Sequence, residues 1–77
     1  MFRDFIGRNV EVLVSFSTST VDGGACPCRY FGTLNDVNEN SIRLSLTKIG
    51  VGFGAKECNG ELMEVNIKYV IYIREIL

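Results

Sequence analysis

The sequence predicts an all-β protein in which a short N-terminal helix precedes a five-stranded, strongly bent barrel. Several runs alternate apolar and polar residues with a period of two, which is typical of strands. The eight glycines fall largely between these runs, where strands are joined by loops. A chain of 77 residues allows one domain, 1–77, and a bent barrel of five strands gives it a sufficient core.

Composition excludes several classes of function. Hydrophobic residues make up 47% of the chain, too many for intrinsic disorder. The net charge of −1 argues against a dedicated basic clamp for nucleic acid. The chain has no His, no nucleophile beside a base and no closed metal motif, so we expect no enzyme activity and no cofactor. No stretch is apolar enough to span a membrane and no signal peptide is evident, so we expect a cytoplasmic protein without membrane partners.

The first quarter of the chain predicts a helical turn and one strand. Met1–Ile6 is compatible with a short helix that ends at Gly7. Asn9–Phe16 alternates valines with other residues and predicts strand one. Ser17–Cys26 is small, polar and glycine-rich, and predicts either a long hairpin loop or an extension of the strand to a turn at Gly23-Gly24. One face of the helix would carry Phe2, Phe5 and Ile6.

The middle of the chain predicts a hairpin. Strand two runs from about Cys28 to Asn35, and Gly32 at its middle indicates sharp curvature or a close backbone approach. Asp36–Asn40 has the composition of a turn. Strand three, Ser41–Lys48, alternates cleanly between apolar and polar residues.

The last third predicts two more strands after a glycine-rich loop. Strand four spans roughly Glu61–Ile67 and strand five roughly Val70–Ile76. Neither Gly nor Pro separates them, so a short helical turn at Lys68 and Tyr69 is the expected joint.

Three segments resemble the Sm and Sm-like (LSm) family, which includes bacterial Hfq. Residues 5–12 (FIGRNVEV) resemble the family's helix end and first strand. Residues 30–38, with Gly32, Leu34 and the Val37-Asn38 pair, resemble the first Sm motif. Residues 65–73 resemble the second motif. The resemblance is closest to small bacterial Sm-like proteins. It implies an Sm-like (SH3-like) barrel and a homo-oligomer that closes into a ring through strands four and five.

The resemblance also implies a site for single-stranded RNA at the inner loops. It would lie where the turn at 36–40 meets the joint at 68–69, and would use Asn38, Asn40, Lys68 and Tyr69. Asn38 stands where the family has Asp, and Lys68-Tyr69 stands where it has Arg-Gly. One lysine per subunit neutralises about one phosphate, so we expect weak, salt-sensitive binding.

Two functions therefore stay open for a non-enzymatic binding module. The first is an Sm-like homo-oligomer that binds RNA or another ligand at its inner loops. The second is an assembly module that joins copies, or holds another protein, with no role for nucleic acid. The acidic pI of about 5.3 and the two departures from the family pattern favour the second.

Three cysteines offer a further chemistry. Cys26, Cys28 and Cys58 could hold a soft metal, form a redox pair or stay unlinked. Structural zinc needs four ligands, and the sequence has no His to complete the set. We expect three free thiols in a reducing compartment and no metal.

Overall fold

The computed structural model describes residues 2–15, 28–50 and 52–76, which form one antiparallel sheet. The predicted all-β class is confirmed. The strands in these ranges are β1 Asn9–Val14, β2 Cys28–Val37, β3 Ser41–Ile49, β4 Lys56–Glu57, β5 Leu62–Asn66 and β6 Val70–Glu75. The 3₁₀ helices in the same ranges are Phe2–Phe5, Gly52–Gly54 and Ile67–Tyr69.

The sheet departs from the predicted five-stranded barrel in two ways. It has six strands in the order β4-β3-β2-β1-β6, and β5 pairs with β3. The additional strand is the charged pair Lys56–Glu57, which is too short to show a period of two. The barrel is also not closed, because no ladder in the described ranges joins β5 to β6. Each of these two strands therefore has one side without a strand partner in this part of the chain.

The bounds of the elements differ by a few residues from those predicted. β2 continues to Val37, because Asp36 and Val37 still pair with Arg43 and Ile42 of β3. The turn therefore shortens to residues 38–40. The joint before β6 is a 3₁₀ turn, as predicted. The N-terminal helix is a single 3₁₀ turn, and Phe16 and the loop at 17–26 lie outside the described residues.

The core lies on the inner face of the bent sheet. The valines that alternate along β1 are fully buried, as the period of two predicted, and they pack with apolar residues of β2, β3 and β5. The fully buried members are Val10, Val12, Val14, Tyr30, Leu34, Ile42 and Leu44. Phe2 and Phe5 cover one side of this core, whereas Ile6, expected on the same face, is exposed.

Gly32 lies where the backbone of β3 leaves no room for a side chain on β2. A Cβ atom at this position would lie 2.1 Å from the backbone oxygen of Ser45. The register between the two strands shifts at the same place, between Phe31 and Gly32. The close approach predicted for this glycine is therefore present, and it accompanies the bend that lets one sheet wrap around its own core.

Candidate functional site

The two loops of the predicted RNA site lie side by side. The backbone N–H of Ile67 donates to the carbonyl oxygen of Asn40 at 2.8 Å, which ties the β2–β3 turn to the start of the joint before β6. Asn66 fixes that joint from within, because its side-chain oxygen accepts the N–H of Lys68 at 3.0 Å. The structure thus brings together the segments that carry Asn38, Asn40, Lys68 and Tyr69.

The side chain of Asn38 is engaged by its own turn. Its oxygen accepts hydrogen bonds from the N–H of Asn40 at 3.0 Å and the N–H of Ser41 at 2.9 Å, whereas the hydroxyl of Ser41 donates its one proton to Glu64 at 2.7 Å. Only the amide N–H groups are left to meet a ligand. Asn38 is therefore first of all a turn-forming residue.

Lys68 and Tyr69 form a cation–aromatic pair at the joint. The Nζ atom of Lys68 lies 5.0 Å from the centre of the Tyr69 ring. Lys68 is exposed and Tyr69 is 39% exposed, so the joint presents a partly exposed ring with a single positive charge over one face. A mostly apolar depression lies close to the turn, and its walls are Phe2, Arg3, Val37, Asn38, Glu39 and Ile67.

A second cluster, which the sequence did not reveal, lies on the outer face of the sheet. Glu11 of β1 is only 3% exposed, although it is charged. Its carboxylate accepts a hydrogen bond from the hydroxyl of Tyr72 at 2.6 Å and two from Arg74 at 2.7 and 3.0 Å. Arg29 on β2 approaches the same carboxylate at 3.3 Å. We call these four residues the Glu11 cluster.

The electrostatics of this cluster keep Glu11 ionised. The hydrogen bond from Tyr72 is the largest cause that lowers the pKa of Glu11, and Arg74 and Arg29 act in the same direction. Burial alone would raise that pKa, so the partners outweigh the loss of solvation. The guanidinium groups stay largely exposed, which leaves a cationic rim around a shallow depression.

Sequence reasoning missed this cluster because its members are distant in the chain. Arg74 lies opposite Glu11 only through the pairing of β6 with β1, and Arg29 reaches it from β2. The one available signal was an acidic residue inside a strand whose other face is entirely valine. Lys48 extends the same face toward β3, with its Nζ atom 4.6 Å from the centre of the Phe31 ring.

The two outer strands expose apolar side chains. Leu62 on β5 is 75% exposed and Ile71 on β6 is 54% exposed. Large apolar side chains with this exposure, on strands that have one unpaired side, are typical of surfaces that bind another chain.

The cysteines show no metal site in the described part of the chain. Cys28 and Cys58 are free, half-buried thiols, and Cys26 lies outside the described residues. Burial, followed by the nearby Glu61, raises the pKa of Cys58. Across residues 2–15, 28–50 and 52–76, no three His, Cys, Asp or Glu side chains are placed to hold one ion.

A comparison with protein-family models, curated proteins and solved structures finds no match to this chain. In the described ranges, no helix is long and apolar enough to cross a membrane.

Proposed function

We propose that this chain is a non-enzymatic assembly module with an Sm-like barrel, whose copies join through β5 of one subunit and β6 of the next. The observation that carries the proposal is the pair of open strands with exposed apolar side chains at opposite ends of one sheet. The position of β5 and β6 at the two ends of the sheet supports it, because these correspond to the strands four and five through which the Sm-like resemblance implies a ring.

Burial of exposed apolar side chains supplies a driving force for the association. Fully covering an exposed leucine or isoleucine contributes roughly 1.5–3 kcal/mol. Leu62 and Ile71 are already partly covered, at 75% and 54% exposure, so together they offer less than twice that gain per contact, before the new backbone hydrogen bonds are counted. A chain this short buries little apolar surface alone, so association also stabilises each copy.

The proposal is tested by the solution mass of the wild type and of two matched variants. Leu62→Gln removes the exposed leucine from the outer strand β5. Ile6→Gln removes another apolar side chain, 42% exposed, that lies before β1 and outside both outer strands. We expect light scattering to give a multiple of 8.6 kDa for wild type and Ile6→Gln, and a smaller mass for Leu62→Gln. A wild-type mass of one chain at micromolar concentration would contradict the proposal.

Binding of single-stranded RNA at the joined loops is the second candidate. The observation that favours it is the contact between Asn40 and Ile67, which places Lys68 and Tyr69 beside the turn. We expect labelled oligo-A or oligo-U to bind weakly at low salt and to be released as salt rises. Lys68→Ala should abolish that binding, whereas Lys56→Ala on β4, away from the joint, should not. Binding that is unaffected by Lys68→Ala would place the RNA elsewhere.

A further inference from the structure

β6 presents its free backbone groups at alternate residues. In an antiparallel ladder, successive residues direct their N–H and C=O groups to opposite sides of the strand. The N–H of Ile76 donates to the oxygen of Asn9 at 2.9 Å, so Ile76 faces β1. Arg74 and Tyr72, at steps of two, face β1 as well. Ile73 and Glu75 therefore direct their backbone groups away from β1, toward the open side.

β5 also presents free backbone groups on its open side at alternate residues. The N–H of Ile67 donates to Asn40, so the backbone groups of Ile67 point toward β3. Because the pairing of β5 with β3 is regular, those of Val65 and Met63, at steps of two, point toward β3 as well. The residues between them direct their backbone groups away from β3. These outward residues are Leu62, Glu64 and Asn66.

Only a few registers of β5 on β6 satisfy both strands. Residues that lie opposite each other in an antiparallel ladder must both face the new partner, so an outward residue of β5 meets Ile73 or Glu75. Glu64 opposite Glu75 would set like charges together, and Leu62 opposite Glu75 would set two apolar side chains against carboxylates, because Glu64 would then meet Ile73. Leu62 opposite Ile73 pairs two apolar side chains and leaves one such mismatch, Glu64 opposite Ile71, at the register shift of β6.

We propose that β5 of one copy adds antiparallel to β6 of the next with Leu62 opposite Ile73, a register that rests on the assembly proposed above. This register also sets Met63 opposite Tyr72 on the other face of the joint sheet. One residue further, the exposed carboxylate of Glu61 comes opposite Arg74. Apolar, sulfur–aromatic and opposite-charge pairs therefore follow one another along the contact.

In this register the Glu11 cluster positions two of the side chains that form the contact. Glu11 holds both Tyr72 and Arg74 through short hydrogen bonds, so the two side chains that meet Met63 and Glu61 are already fixed in the free subunit. Buried ionic groups are best attested as devices that set register. A slip by two residues would bring Met63, instead of Glu61, opposite Arg74.

Disulfide trapping between two variants tests the register. The three native cysteines are first replaced by Ser. A Leu62→Cys chain is then mixed with an Ile73→Cys chain, and separately with a Glu75→Cys chain, and both mixtures are oxidised mildly. Directly opposite residues in a ladder lie about 4.5–5.5 Å apart, within the span of a disulfide. We expect a covalent dimer in the first mixture and little in the second, and none when either variant is oxidised alone.

The outcomes separate the register from the assembly itself. An assembled protein that forms the Leu62–Glu75 dimer instead would overturn the register and leave the assembly standing. A monomeric wild type would overturn both.

A charge substitution tests the Glu61–Arg74 contact independently. We expect Glu61→Gln to raise the dissociation constant between copies about two- to fivefold, as for an exposed ion pair. Glu57→Gln, an exposed carboxylate on β4 that this register leaves outside the contact, is the matched control. Equal effects of the two substitutions would contradict the contact.

Discussion

Gly32 shows how a single position sets the path of a whole sheet. A methyl group there would meet the backbone oxygen of Ser45, and backbone cannot move aside as a flexible side chain can. We expect Gly32→Ala to lower the free energy of unfolding by about 1–3 kcal/mol, the usual cost of overpacking. Urea denaturation monitored by circular dichroism measures this change.

Gly54→Ala is the control for this substitution. A Cβ atom at Gly54 meets nothing within 4 Å, and the residue has no positive φ angle. Its effect on the free energy of unfolding should stay within about 0.5 kcal/mol. Equal stability of the two variants would show that the sheet relaxes freely at Gly32.

The pKa of Glu11 makes stability depend on pH. Its folded-state pKa is lowered mainly by the hydrogen bond from Tyr72, so the unfolded chain binds the proton more readily. The stabilisation is therefore present above the ordinary carboxyl pKa of about 4.3 and is lost as the pH falls through the lower folded value.

Glu11→Gln should remove this part of the pH dependence. We expect a lower urea midpoint than wild type at pH 7 and a smaller difference between the two proteins at about pH 3. Glu57→Gln, on the exposed strand β4, serves as the control. A gap between wild type and Glu11→Gln that is unchanged at acid pH would contradict the ionised cluster.

At the scale of elements, the turn between β2 and β3 depends on one amide side chain. The side-chain oxygen of Asn38 accepts two backbone hydrogen bonds within the turn, whereas Asn40 accepts its hydrogen bond from Ile67 through its backbone carbonyl. We expect Asn38→Ala to cost about 1–2 kcal/mol of unfolding free energy and Asn40→Ala clearly less. Thermal denaturation of the two variants measures the contrast, and similar melting temperatures would show that the turn holds without its cap.

Regular alternation made the longer strands predictable. The valines of β1 and the aliphatic residues of β3 repeat every second residue, because one face of each strand packs on the core. β4 gave no such signal, since two charged residues pair with β3 only through their backbone. The end of β2 was missed because Asp36, a common turn residue, lies just past the register shift and still pairs with Arg43.

Of the two candidate sites, the sequence predicted the joined loops and missed the Glu11 cluster. The nearness of the β2–β3 turn to the joint at Lys68 followed from the resemblance, which carries the topology with it. The Glu11 cluster could not be predicted, because Glu11 and Arg74 meet only when β6 pairs with β1. Local patterns in a sequence do not specify a register between strands so far apart in the chain.

At the scale of the molecule, assembly should couple to stability. If copies associate through β5 and β6, association consumes folded monomer. By mass action this shifts the equilibrium between unfolded and folded chains toward the folded state. We expect the melting temperature of the wild type to rise with protein concentration, and that of Leu62→Gln to rise much less. Differential scanning calorimetry over a hundredfold range of concentration measures this. A wild-type melting temperature that is independent of concentration would contradict the coupling.

The two outer strands of the sheet are unlike, and that gives any assembly a direction. A copy that keeps a sound β6 but carries a damaged β5 still accepts a neighbour on one side and offers nothing on the other. Such a copy ends the array it joins, so a small fraction of it would shorten or break open the assemblies of an otherwise normal population. The copy with the damaged β5 would thus inhibit assembly in a mixture, and the loss of assembled protein would exceed its fraction of the population.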